Sequence, residues 1–358
     1  MENTVLALGL MSGTSLDGID AALVRTDGSK IVKTGEFLSL PYTDKFREKL
    51  RSILGGIGDV KVVERELTLL HVDAAQKLIE YSGRQAADID VIGFHGHTIL
   101  HNPDKAQTWQ IGDGALLASE TGIDVVCDMR SRDVDEGGQG APLAPLFHHA
   151  LASEMEQPLV VLNIGGVSNV TYVNGDESSL IAFDTGPGGA LIDDWVSQKC
   201  GIPFDRDGQI AASGEVANGV LDQLLDSPYF DTAPPKSLDR NQFDVSLVQS
   251  LSMEDGAATL TAFTSVSITR ALPHFPEKPL RWLVTGGGRH NKFLMANLSR
   301  ELGVDVEPVE AVGWNGDALE AQAFAYLAVQ SRKGLPLTYP GTTGAKGPTT
   351  GGVYFSSS

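Results

Sequence analysis

Three glycine-rich turns carry the clearest chemical signal: Gly13-Thr14-Ser15-Leu16-Asp17-Gly18, Asp184-Thr185-Gly186-Pro187-Gly188-Gly189 and Thr285-Gly286-Gly287-Gly288-Arg289. Each follows an apolar run. Glycine lets the backbone enter φ > 0 and lets its amides approach an anion closely, and the hydroxyls of Thr14, Ser15 and Thr185 add donors. The second turn also opens a helix, whose N-terminus favours phosphate. A single turn of this kind is usually only a turn, but three after apolar runs point to phosphate binding. None is a Walker loop, because Gly-Lys-Ser/Thr is missing at the required spacing, and none is a dinucleotide fingerprint. Acids flank two of the turns. Asp184 ends its apolar run, where it would be a proton acceptor or merely cap a turn. Asp17 and Asp20 could hold Mg²⁺ through water, since magnesium prefers oxygen ligands and keeps much of its hydration. Asp17, inside the turn, is the favoured candidate.

Arg130 and Arg132 stand beside the loop Gly137-Gly138-Gln139-Gly140 in a chain poor in cations. A guanidinium fork suits a planar carboxylate, with ordinary ion pairs to Asp128, Asp133 or Asp135 as the alternative. His95, His97 and His101 invite a metal reading. They lack a His-Glu-x-x-His pattern or a cysteine pair, so hydrogen bonding is the preferred role.

These residues need a scaffold, and the composition permits one. The chain has 358 residues, 42% of them hydrophobic and 20% charged, enough at ~150 residues per domain for two cores. With 27 basic against 46 acidic residues the net charge is −19, which excludes a general nucleic-acid binder. The two cysteines, Cys127 and Cys200, suit a reducing compartment, and no secretory signal or membrane-spanning run is readable, so a cytoplasmic protein without membrane or nucleic-acid partners is expected. Strand, glycine turn, strand recurs at Thr4 to Arg25 and at Pro158 to Val173, which suggests two related α/β domains. Helical periodicity is strongest over Val60 to Tyr81, and Asp317 to Arg332 reads as a long closing helix. The tail from Pro336 reads as loop.

Longer words then narrow the choice. Gly9-Leu-Met-Ser-Gly-Thr-Ser-Leu-Asp-Gly-Ile-Asp20, Gly93-Phe-His-Gly-His97, Asp128-Met-Arg-Ser-Arg-Asp133, Gly137-Gly-Gln-Gly-Ala-Pro142, Asn163-Ile-Gly-Gly166 and Phe183-Asp-Thr-Gly-Pro187 resemble the anhydro-N-acetylmuramic acid kinases, as do Glu320-Ala-Gln-Ala-Phe-Ala325 and Tyr339-Pro-Gly-Thr-Thr-Gly-Ala345. One position departs: Gly189 stands where the family usually has Asn.

The resemblance implies an α/β, two-domain actin-like (sugar kinase/Hsp70/actin) ATPase fold with an interdomain cleft. Its first domain would be residues 1–135 plus about 335–358, its second 136–334. It further implies an enzyme that uses ATP, Mg²⁺ and water to open a 1,6-anhydro ring and phosphorylate O6, with room for a homodimer. Asp184 would be the general base. Gly13, Thr14, Ser15, Leu16, Asp17, Gly18, Ile19, Asp20, Thr185, Gly186, Gly188, Gly286, Gly287 and Gly288 would bind ATP. His97, Arg130, Gln139 and Glu320 would bind the sugar, Arg130 taking its lactyl carboxylate. A non-catalytic ATP-binding regulator on the same fold and, more remotely, a histidine-metal hydrolase are the alternatives.

Overall fold

A continuous apolar run forms the first strand because that strand is covered on both faces. The computed structural model describes residues 4–30, 32–238, 242–243 and 245–358. In it the chain divides into two compact units, Met1–Glu154 with Ala318–Ser358 and Met155–Asp317.

The first unit is built on Val5–Ser12 (β1), Gly18–Thr26 (β2), Val32–Pro41 (β3), Val91–Asn102 (β4), Gln107–Ile111 (β5) and Val125–Cys127 (β6). With the C-terminal strand Val353–Phe355 they make, among the described residues, a seven-stranded sheet. Its order is C-terminal strand, β6, β4, β1, β2, β3, with β5 beside β4. β1 runs parallel to β4 and antiparallel to β2, so the first glycine turn leaves the sheet between two central strands. The helix Val60–Tyr81 covers one face with Val63, Leu67, Ala74 and Leu78, all buried at helical spacing. The helix Leu319–Arg332 covers the other, and two glycines let its backbone touch the sheet: a Cβ on Gly9 would stand 1.7 Å from the Ala321 carbonyl oxygen, and one on Gly93 2.0 Å from that of Phe324.

The second unit holds Leu159–Ile164 (β7), Val167–Val173 (β8), Ile181–Pro187 (β9), Arg281–Thr285 (β10) and Val306–Pro308 (β11), in the order β11-β10-β7-β8-β9. β7, β8 and β9 form an antiparallel meander, while β10 pairs parallel with β7 and β11. Its sheet buries Trp282, Tyr172 and Phe183, and Phe275 stacks on Tyr172 at 4.7 Å.

Both units are mixed α/β, as expected, but their limits differ from the boundaries expected at 135 and 335. The closing helix rests on β1 and β4, and the helix Pro145–Ala152 follows it, with Phe147 and Tyr326 rings 5.7 Å apart. Both elements therefore belong to the first unit. The tail, read as loop, supplies a short helix at Pro340–Thr343 and the edge strand Val353–Phe355, which pairs with β6.

Candidate active site

The turn after β1 is closed by the Leu16 amide donating to the Gly13 carbonyl at 3.1 Å, with Leu16 in the left-handed region at φ 62°. Thr14, Ser15 and Asp17 are exposed, Gly13, Gly18 and Asp20 half-buried, and Leu16 and Ile19 buried. Leu16 and Ile19 thus give side chains to the core, and what they can offer an anion is backbone. The turn is held at both ends by Tyr42. Its amide donates to the Asp17 carbonyl at 2.9 Å, and its hydroxyl donates to Ser12 Oγ at 2.7 Å.

His97 sits opposite Ser12 because β4 carries an extra residue there, with Gly96 at φ 73° making the bulge. Ser12 Oγ lies 3.0 Å from His97 Nδ1, and burial holds that imidazole neutral, its pKa lowered to about 4. His97 is 0% exposed, so in this conformation it supports the turn from beneath and presents no open face to a sugar.

Arg130 follows Asp128, whose left-handed φ of 50° turns the chain out of β6. The guanidinium pairs with no acid side chain among the described residues. Instead Nε and Nη2 donate to His95 Nε2 at 3.2 and 3.1 Å, and Nη1 donates to the Gly140 carbonyl at 2.7 Å. His95 can accept because its Nδ1–H faces the Gly96 carbonyl, 3.0 Å away. One hydrogen on each terminal nitrogen remains, the arrangement a carboxylate fork requires. Burial lowers the Arg130 pKa to about 10, a shift that Glu320 and then Asp133 oppose. Glu320 keeps access to solvent, yet the loss of surrounding water pushes its carboxyl up, with Arg130 opposing and Asp20 adding to the rise. A carboxyl can touch water on one side and still be poorly solvated overall.

Sequence reasoning missed Asp133 as a site residue. It is 1% exposed and ties the Gly138-Gln139-Gly140 loop to the tail. Oδ2 accepts from the Gly140 amide at 2.7 Å, and Oδ1 accepts from the hydroxyls of Thr343, at 2.7 Å, and Thr338. Gln139 is fixed through its backbone N–H, which donates to the Thr343 carbonyl at 2.7 Å. The histidine-metal reading finds no support here: His95 uses both ring nitrogens, and Nδ1 of His97 and of His101 face Ser12 and Thr108.

In the second unit the β8–β9 register slips at Asn169, leaving Thr185 as the extra residue beside Asp184. The segment Tyr229 to Leu238 straps this aspartate. The Leu238 amide donates to Asp184 Oδ2 at 2.8 Å, the Asp184 amide donates to the Lys236 carbonyl at 3.0 Å, and the Tyr229 hydroxyl donates to the Asp184 carbonyl at 2.5 Å. Lys236 closes the strap, its Nζ donating to the Tyr229 carbonyl at 2.9 Å. Desolvation pushes the Asp184 carboxyl up from 3.8 to about 7, against the Leu238 hydrogen bond. No local sequence signal announces this strap.

The glycines after Asp184 act differently from expectation. The Gly188 amide donates to the Gly166 carbonyl at 3.0 Å and the Gly189 amide to that of Gly165 at 2.8 Å, so neither is an open donor in this conformation. Gly188 is small because a Cβ there would lie 2.3 Å from the Gly165 carbonyl oxygen. Thr185 is buried and its hydroxyl donates to the Ser168 carbonyl at 3.2 Å, while a Cβ on Gly186 would crowd Ser267 at 2.7 Å. At the third turn Gly286 and Gly288 lie against Ile164, whereas Gly287 faces open space. Buried Arg289 ties this turn to Glu310 at 3.0 Å and Asp317 at 2.7 Å.

The sequence profile described as anhydro-N-acetylmuramic acid kinase matches residues 5–357. The chain belongs to the anhydro-N-acetylmuramic acid kinase family. A family member from Paramagnetospirillum magneticum is 57% identical over 97% of this chain and 99% of its own length. Another, from Rhodospirillum rubrum, is 52% identical over 99% of this chain and 95% of its own. A third, from Rhizorhabdus wittichii, is 51% identical over 98% of both. The chain thus spans nearly the full length of these kinases, and the Asp184 turn and the Arg130 segment lie inside the matched residues.

Proposed function

We propose that this protein is a cytoplasmic kinase of peptidoglycan recycling that converts 1,6-anhydro-N-acetylmuramic acid, ATP and water to N-acetylmuramic acid 6-phosphate and ADP. The observation that carries this reading is Asp184. A carboxyl raised to about 7, strapped at Oδ2 and with no hydrogen bond to Oδ1 among the described residues, is suited to take a proton from water at neutral pH.

Water oxygen bonds to C1 as the C1–O6 bond breaks, and its proton goes to Asp184. The released O6 bonds to the γ-phosphorus, and the bond from that phosphorus to the β-phosphate oxygen breaks, leaving ADP. Thr14, Ser15 and the backbone of Gly13 to Asp20 receive phosphate oxygens, and Gly286 to Gly288 accommodate the nucleoside. Arg130 takes the lactyl carboxylate, Gln139 and Glu320 take sugar hydroxyl or acetamido groups, and His97 holds the turn beneath them. Asp17, exposed in the turn, and Asp20, whose charge crowds Glu320, fit a hydrated Mg²⁺. When bound, the ion would neutralise charge on the phosphates. Among the described residues no helix is long and apolar enough to cross a membrane.

A coupled ADP-release assay with the anhydro sugar, followed by ³¹P detection of a sugar monophosphate, tests the proposal. Sugar-dependent ADP with that product is expected. ADP at background would overturn it.

A further inference from the structure

Tyr42 and Ser12 lie outside the segment Gly13 to Asp20 assigned to phosphate, yet together they touch both of its flanks. The Tyr42 amide holds the Asp17 carbonyl and its hydroxyl holds Ser12 Oγ, the last residue of β1. Tyr42 is itself well anchored. Its ring packs on Phe46 at 5.0 Å, and its carbonyl accepts from Arg47 Nη2 at 3.0 Å. Ser12, Tyr42 and His97 are 1%, 4% and 0% exposed, so water does not compete for their hydrogen bonds.

Burial makes the direction of the chain decidable. Tyr42 donates to Ser12 Oγ, and the acceptor left for the buried Ser12 proton is His97 Nδ1. A bare Nδ1 on a neutral imidazole places the ring hydrogen on Nε2. That Nε2 is buried and has no protein partner among the described residues. A buried N–H in this position calls for an acceptor beyond the described side chains, such as an enclosed water. His71, packed nearby against Phe94, has the complementary state: its Nδ1–H faces the Leu67 carbonyl at 2.8 Å, which leaves Nε2 as a bare acceptor.

We infer that Tyr42 and Ser12 are positioning residues: they set the phosphate turn and, through the Ser12 hydroxyl, fix His97 as a neutral donor at Nε2. The functional half rests on the kinase reading above; the tautomer does not. Because Ser12 and His97 stand opposite each other on paired strands, the Ser12 hydroxyl adds a side-chain tie between the start of the turn and β4 beside the backbone ladder.

The test uses the full chain labelled with ¹⁵N-histidine, the His97 signal being assigned by its loss in His97→Gln, together with steady-state kinetics. In the wild type, His97 is expected to carry its proton on Nε2 and to stay neutral from about pH 6 to pH 8. Tyr42→Phe keeps the amide anchor and loses the hydroxyl, so the KM for ATP is expected to rise about fivefold while the sugar KM stays within about twofold, the scale of one buried hydrogen bond. Ser12→Ala cuts both links, raises both KM values and lets the His97 proton redistribute between its nitrogens. Ser12→Thr restores the hydroxyl and returns the values towards wild type. A proton on Nδ1 in the wild type overturns the link, as does an ATP KM within twofold of wild type in Tyr42→Phe. If the wild type releases no ADP with the sugar, the kinase reading fails, and the tautomer measurement decides the link alone.

Discussion

Asp184→Asn should slow the reaction severely and at the same time stabilise the protein, because the feature that suits Asp184 to be a base is a strain on folding. Its folded pKa is raised from 3.8 to about 7 by desolvation. The native state therefore holds a proton that the unfolded chain has released. Between these values the unfolded state binds fewer protons, so native stability falls as pH rises. The loss begins near 3.8 and is complete above about 7. At 1.36 kcal/mol per unit, that shift corresponds to an upper limit of ~4 kcal/mol, and partial solvent access reduces it to ~2 kcal/mol. Asparagine keeps an oxygen for the Leu238 amide but carries no charge. Scanning calorimetry should find variant and wild type melting together near pH 4, and the variant ahead by several degrees at about pH 8. Turnover should fall ~10²- to 10⁴-fold. The wild-type kcat should rise with pH through an inflection near 7 as Asp184 loses its proton. Melting curves that stay parallel at every pH, with a turnover inflection below about 5, would refute this reasoning.

Arg130→Lys loses the fork that spans His95 and Gly140, so the sugar KM should rise on the order of tenfold and the ATP KM little, equal rises marking a purely structural role. Asp133→Asn places an amide among the donors of Gly140, Thr338 and Thr343; chemical denaturation should report a loss of ~1–3 kcal/mol, and an unchanged midpoint would show that the loop and tail are held otherwise. Gly9→Ala drives a Cβ into the Ala321 carbonyl, so the helix must lift off β1; a melting temperature within a degree of wild type would contradict that packing.

Much of the scaffold was legible where burial and local geometry agree. The β1 hairpin follows from an apolar run broken by a glycine turn, and the helix Val60–Tyr81 has the limits its periodicity predicts. β3 and β5 were not read, because both are largely exposed and lack the apolar run that marks a buried strand. β4 continues past Phe94 because its polar residues His97 and Thr98 are accommodated by pairing with β1 and β5, which the sequence alone does not announce. Asp184 stood out as the acid ending an apolar strand, and Arg130 as a cation beside a glycine loop. Their supports were hidden. Tyr229, Lys236 and Tyr42 act through backbone carbonyls or a single hydroxyl far along the chain, and such contacts leave no spacing to detect. The Gly188 and Gly189 amides show the converse: the glycines suggested a phosphate cradle, but close packing on Gly165 and Gly166 accounts for their size.

If ring opening is coupled to phosphorylation, the mass of the product records both steps. The protein is incubated with ATP, Mg²⁺ and 1,6-anhydro-N-acetylmuramic acid, and ADP and sugar product are quantified together. One ADP is expected for each sugar whose mass has grown by one phosphoryl group and one water, with both products formed at least ~10²-fold more slowly by Asp184→Asn. A phosphorylated sugar that retains its anhydro ring, or ADP released at the same rate with and without the sugar, would contradict the coupling.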